Sequence, residues 1–95
     1  MEKELDTKEL QELFKAILRL KSVDECKMFF RDLCTFAELK AMDERFQVVK
    51  LLNKNIPYRE IAKKTGSSTA TITRVAQWLH HGAGGYRLML ERIHS

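Results

Sequence analysis

Hydrophobic residues recur at helical spacing along most of the chain, with polar residues on the opposite face. The clearest apolar stripe has members at i, i+3, i+4, i+7 and i+8: Leu10, Leu13, Phe14, Ile17 and Leu18. This spacing predicts a helix from about Thr7 to Leu20. No run of β-branched residues alternates with polar residues, as a strand would require. The pattern therefore predicts an all-α chain.

Two capping boxes mark the next helix starts. Ser22 with Glu25 places a hydroxyl and a carboxylate where each satisfies a free amide group, so a second helix begins there. Thr35 with Glu38 repeats the box and starts a third helix, which extends to about Asn53. The third helix carries a wide apolar stripe: Leu39, Met42, Phe46, Val48, Val49, Leu51 and Leu52. This width predicts burial on two sides, as at a subunit interface.

Proline and glycine punctuate the rest of the chain. The single proline, Pro57, and the first glycine, Gly66, frame a short helix over Tyr58 to Lys64. A second short helix covers Thr69 to His80, the glycine-rich residues 82–85 form a loop, and a last helix covers residues 86–93. The prediction is therefore a six-helix fold that forms one domain over residues 1–95.

Composition narrows the class of protein. Hydrophobic residues make up 44% of the chain, which is enough for a core and too many for a disordered protein. No apolar run approaches the roughly 18 residues of a membrane span, and no signal-peptide core follows the charged N-terminus, so we expect a cytoplasmic protein. The two cysteines, Cys26 and Cys34, are too few for a disulfide framework, and they are expected to be thiols on buried helix faces.

Charge is distributed unevenly. The formal net charge is +4, but residues 1–53 carry ten Lys or Arg against eleven acids. Residues 54–95 carry seven basic residues and only two acids. A basic C-terminal half favours a polyanionic partner.

The basic half contains a candidate helix-turn-helix at about residues 57–79, in which two short helices cross steeply through a turn. Ala62 is small where the second helix crosses, and Gly66 suits the positive φ that the turn requires. Ser68 is a favourable cap for the second helix. Three apolar residues are predicted to anchor the motif to the core: Ile61, Ile72 and Val75.

Short side chains with hydroxyls and methyls lie on the outward positions of the second helix, which suits close approach to base edges in a major groove. The predicted base-reading residues are Thr69, Ala70, Thr71 and Thr73. The predicted contacts to DNA phosphates are Arg59, Lys63, Lys64 and Ser68. The motif thus predicts a double-stranded DNA partner. An ordinary helical hairpin that serves as a protein-interaction module is the alternative.

The segment Gly66–Arg74, which reads GSSTATITR, resembles the turn and recognition helix of the Trp repressor family. The segment Cys34–Arg45, which reads CTFAELKAMDER, resembles the YerC/YecD group of Trp repressor-like proteins from Gram-positive bacteria. The resemblance extends over about Leu10 to Tyr86. It implies a six-helix, intertwined homodimer whose two recognition helices lie about 34 Å apart, one DNA turn. It also implies a repressor of amino-acid metabolism genes that binds a near-palindromic operator.

The resemblance also places an effector pocket, which departs from the family pattern. Arg74 matches one of two arginines that sandwich the family's indole ligand, whereas Glu44 stands in place of the other. Val75 replaces a glycine and Trp78 a small serine, so bulk and an acid occupy the pocket. Because a carboxylate repels the carboxylate of an amino acid, tryptophan is not the expected effector. Another amino acid is an alternative, and Trp78 itself is a candidate occupant.

Other polar groups have ordinary explanations. His80 and His81 end a helix, where cationic side chains are favourable. Asp43 and Glu44 suit a solvated helix face, and no nucleophile stands beside a candidate base in the sequence. We therefore expect neither an enzyme nor a metal site.

Overall fold

The computed structural model describes residues 2–94. Those residues form a short 3-10 turn and six α-helices, with no strand among them: the turn at Lys3–Asp6, then α1 Lys8–Ile17, α2 Val23–Leu33, α3 Phe36–Asn53, α4 Tyr58–Thr65, α5 Thr69–His81 and α6 Gly85–Ile93. The all-α, six-helix prediction is confirmed. The largest boundary error is at the end of α1, which stops at Ile17.

The two capping boxes form as helix starts, with one difference in detail. At α3, Thr35 Oγ1 accepts from the Glu38 amide at 3.1 Å, and Glu38 Oε1 accepts from the Thr35 amide at 2.8 Å. At α2, Ser22 Oγ accepts from the Glu25 amide at 3.1 Å. The Glu25 carboxylate accepts from the amide of Lys21 at 2.9 Å, one residue earlier than the box predicts.

The described residues form two compact groups, which divide within α3 between Leu39 and Lys40. In the first group, residues 2–39, no residue is buried. Its large exposed side chains include Leu18 at 83%, Val23 at 74% and Phe36 at 66% of full exposure. The prediction that both cysteines are buried is wrong within the chain, since Cys26 is exposed and Cys34 only partly buried. Cys26 lies on the apolar face of α2, which the single chain leaves partly exposed, and Cys34 follows the last residue of α2.

The second group, from Lys40 onward, has a hydrophobic core. Helices α3, α4, α5 and α6 all contribute to it, with these buried residues: Val48, Val49, Ile61, Ile72, Val75, Leu79 and Leu90. The three residues predicted to anchor the helix-turn-helix, Ile61, Ile72 and Val75, are each 0% exposed. This core fixes the positions of α4 and α5.

The end of α5 is set by its backbone. The Gly82 amide donates to the Trp78 carbonyl at 2.9 Å. A Cβ on Gly82 would clash with that carbonyl oxygen, so only glycine fits. Gly85 is already helical, which makes the loop one residue shorter than predicted. None of the described helices has the length and hydrophobicity to cross a membrane.

Candidate nucleic-acid interface

The turn between α4 and α5 has the backbone that its sequence predicts. Gly66 has φ of 75°, in the left-handed region, and its amide donates to the Ala62 carbonyl at 2.9 Å. Nothing lies within 4 Å of a Cβ built on Gly66. Glycine is therefore required here by backbone conformation and not by lack of space.

Ser68 caps α5, as predicted. Its Oγ accepts from the Thr71 amide at 3.1 Å and lies 3.1 Å from Thr71 Oγ1, to which it donates. Thr71 is partly buried, and its hydroxyl is engaged with the cap. The structure thus separates Thr71 from the other three residues predicted to read bases.

Helix α5 has a buried side and an outward side. The buried side consists of Ile72, Val75, Ala76 and Leu79. The outward side lines an open groove of about 510 Å³ with Thr69, Ala70, Thr73, Arg74 and Gln77. Three of the predicted base-reading residues therefore lie together on a surface with short side chains and one cation. The first turn of α5 holds no acidic residue, which leaves its N-terminal amides favourable to phosphate.

The predicted phosphate contacts on α4 do not all lie together. Arg59 and Lys63 are exposed and line one groove with Pro57 and Glu60. Lys64 lines a different groove, and its Nζ is 3.6 Å from Glu60 Oε1. Arg59 and Lys63 thus form the basic face of α4, whereas the charge of Lys64 is partly offset by Glu60.

The residues predicted for an effector pocket lie in different surroundings within the chain. Glu44 lines a groove beside α3, and Arg74 lines the groove of α5. Val75 is fully buried in the core, and Trp78 is 44% exposed. Within the single chain, Glu44 and Arg74 thus line different grooves, and Val75 belongs to the core.

Two features of this region are not among the predictions from the sequence. Gln77 lines the α5 groove, and its position follows from Thr69 and Thr73 by helical spacing, so the pattern contained that signal. Ser67 is 5% exposed, and its Oγ donates to Glu44 Oε1 at 2.7 Å. The two residues are 23 positions apart, and no local pattern pairs them.

The groove that contains Glu44 and Lys64 has a volume of about 750 Å³ and lies between α3 and the end of α4. Most of the residues that line it have polar or charged side chains: Lys40, Asp43, Glu44, Gln47, Lys50, Leu51, Lys54, Lys64, Thr65 and Gly66. The α3 members recur every three or four residues, so the helical period carries this stripe too. Asp43 Oδ1 accepts from Gln47 Nε2 at 3.2 Å within the stripe.

The chain is similar to known proteins over nearly its whole length. A family model described as Trp repressor protein matches residues 8–94. The uncharacterised protein YerC of Bacillus subtilis (strain 168) is 43% identical over 86 residues, which cover 90% of this chain and 83% of YerC.

Two solved structures share the fold. A TrpR-like protein from Eubacterium eligens is 44% identical with a TM-score of 0.93, over 97% of this chain and 95% of that one. A candidate Trp repressor from Staphylococcus aureus is 41% identical with a TM-score of 0.91, over 96% and 91%. With this helix-turn-helix and these relatives, the chain belongs to the Trp repressor family, in the branch that includes YerC.

Proposed function

We propose that this protein is a sequence-specific DNA-binding regulator that acts as a homodimer. The observation that carries the proposal is the outward side of α5, where Thr69, Ala70 and Thr73 line one open groove. Such short side chains allow a helix to seat deeply in a major groove, with hydroxyls near base edges and methyls near thymine. Arg59 and Lys63 on α4 supply cations for the flanking phosphates.

The first group of helices supports the dimer. None of residues 2–39 is fully buried, although α1 and α2 each carry an apolar stripe. A second copy of the chain offers the same apolar faces and covers them symmetrically. Two α5 helices related by a two-fold axis then read two half-sites, which makes the operator near-palindromic.

Membership in the Trp repressor family supports the regulatory role. A dimer bound at an operator represses the adjacent genes, and we assign these genes to amino-acid metabolism. The protein acts by binding and not by catalysis. Its partners are double-stranded DNA and its second copy. No effector is assigned, and tryptophan is disfavoured because Glu44 stands where the family has an arginine.

Selection of bound sequences from random duplexes tests the proposal, followed by salt titrations on the selected site. We expect an enriched near-palindrome and an affinity that falls steeply with salt, because bound phosphates release counterions. Thr73→Ala relaxes the preference at one base position in each half-site. Lys63→Ala weakens binding to all sequences about equally and lowers the salt slope by about one.

The same experiments distinguish the regulator from the alternative, a helical module that binds other proteins. Binding without sequence enrichment, unchanged by both Thr73→Ala and Lys63→Ala, contradicts the regulator. In that case the α4–α5 hairpin would serve a protein partner.

A further inference from the structure

The turn of the helix-turn-helix is fastened to a helix outside the motif by a short side-chain hydrogen bond. Ser67 Oγ donates to Glu44 Oε1 at 2.7 Å, and Ser67 is 5% exposed. Ser67 stands between Gly66, whose φ is positive, and Ser68, which caps α5. The bond therefore acts on the residues that set where α5 begins.

Ser67 is also held from the side of α4. Its amide donates to Thr65 Oγ1 at 3.2 Å, and the Thr65 hydroxyl donates to the Ile61 carbonyl at 2.8 Å. The turn is thus attached to α4 through its backbone and to α3 through its side chain. Loss of the Glu44 contact leaves only the local attachment, and it leaves a buried hydroxyl without its acceptor, which is costly.

The charge of Glu44 needs an explanation beyond folding. The Glu44 carboxylate lies beside the turn that precedes α5, 2.7 Å from Ser67 Oγ, and a negative charge there opposes the approach of phosphates to the start of α5. An alanine at position 67 would pack in the same place with no need of a charged partner. The pair is therefore explained best by its effect on orientation. A hydrogen bond to a charged acceptor is short and strong, so it fixes the direction of the Ser67 side chain.

We propose that Glu44 is a positioning residue for DNA reading: through Ser67 it fixes the turn and thereby the angle at which α5 presents Thr69, Ala70 and Thr73. This inference rests on the proposed function for its consequence at DNA. Its structural part, an ordered turn, holds in the free protein as well. Reading sites depend on such support because small displacements of contact residues weaken recognition.

The test compares Glu44→Gln with Glu44→Ala on the selected operator. Both substitutions remove the same negative charge, but only glutamine keeps an oxygen that accepts from Ser67 Oγ. Loss of repulsion strengthens binding to any DNA equally in both variants. The positioning role predicts that Glu44→Ala binds the operator about tenfold more weakly than Glu44→Gln, which is about 1.4 kcal/mol.

Asp43 supplies the matched control. It lines the same groove, but its hydrogen bond with Gln47 stays within α3. Asp43→Asn and Asp43→Ala are therefore expected to bind the operator equally. A tenfold difference in that pair as well would assign the effect to the groove in general and overturn the role of Glu44.

Amide hydrogen exchange over residues 67–71 in the DNA-free protein completes the test. We expect faster exchange in Glu44→Ala and in Ser67→Ala than in Glu44→Gln and the native chain. If the native chain shows no sequence preference, the proposed function fails, yet the exchange still decides whether Glu44 orders the turn. If Glu44→Ala does not fold, Ser67→Ala carries both measurements. Equal operator affinity and equal exchange in all these variants overturn the inference.

Discussion

Residues 2–39 and the residues from Lys40 onward bury their apolar side chains in different ways. In the second group, Ile61, Ile72 and Val75 are each fully buried by neighbours from the same chain. In the first group no residue is buried, and Leu18 is 83% exposed. Both groups contain amphipathic helices, so helix formation alone does not distinguish them. The difference is whether the chain supplies its own partner surface.

The comparison supports the proposed division of tasks between the two groups. The second group holds α5, the proposed recognition helix, on a core built within one chain. The first group offers uncovered apolar faces, and its helices gain most of their stability from packing rather than from intrinsic propensity. A chain of 95 residues is short for a large core of its own, so assembly is an effective way to bury more surface.

The largest expected effect comes from charging an apolar face of the first group. In the proposed symmetric dimer, Phe14→Glu replaces two apolar rings, each worth about 1.5–3 kcal/mol when the second copy covers it. The dissociation constant of the dimer is then expected to rise at least about 100-fold. Sedimentation equilibrium at micromolar concentration measures it. Ala16→Glu adds the same charge on the other side of α1 and is expected to leave the dimer intact. A Phe14→Glu protein that stays dimeric would contradict the inference that a second copy covers the apolar face of α1.

The next effect tests the core of the second group. Ile72→Ala leaves a cavity at a fully buried site and is expected to lower the free energy of unfolding by about 2–5 kcal/mol. Because the core lies within one chain, the loss is the same at high and low protein concentration. Urea denaturation at two concentrations measures it. The exposed neighbour Thr73, changed to alanine, is expected to stay within about 0.5 kcal/mol of the native chain.

A smaller effect is expected from removal of a helix cap, which can be compared between the two groups because each has a serine cap. Ser22 caps α2 and Ser68 caps α5, each with a hydroxyl that accepts a main-chain amide. Either serine changed to alanine is expected to cost about 1 kcal/mol of stability. Only Ser68→Ala is expected to weaken operator binding, because α5 is the helix proposed to contact DNA. Binding assays beside thermal unfolding measure both, and equal losses of DNA affinity would contradict the division of tasks.

The smallest effect is a dependence on pH at the start of α3. The Thr35 amide, and then the Thr35 hydroxyl, hold the pKa of Glu38 below its ordinary value of 4.5. Because the folded pKa is depressed, the stabilisation is present above pH 4.5 and is lost as the pH falls through the folded value. An NMR titration of Glu38 measures the pKa. Glu38→Gln is expected to remove this contribution, and a pKa at or above 4.5 would contradict it.

Much of the fold was predictable because its signals are local. A hydroxyl at Ser68, a glycine at Gly66 and a carboxylate at Glu38 each act within a few residues, so spacing alone predicts the caps and the turn. The outward side of α5 follows from the helical period in the same way. These signals located the candidate interface before any packing was known.

The rest depended on packing between distant segments. The bond from Ser67 to Glu44 spans 23 residues, and only the fold brings the two together. Val75 was predicted both as a core anchor and as a pocket residue, and its complete burial makes it part of the core. Cys26 lies on an apolar helix face, but helical periodicity does not tell whether that face is covered by the same chain.

The separation of the two sides of α5 has a consequence for how such proteins diversify. The groove residues Thr69, Ala70, Thr73 and Gln77 are exposed, whereas Ile72, Ala76 and Leu79 hold the helix in place. If α5 reads bases as proposed, exchanges among the first set are expected to alter base preference at little expense to folding. A randomised library over those four positions is a direct route to variants with new operators, and gene duplication offers evolution the same route.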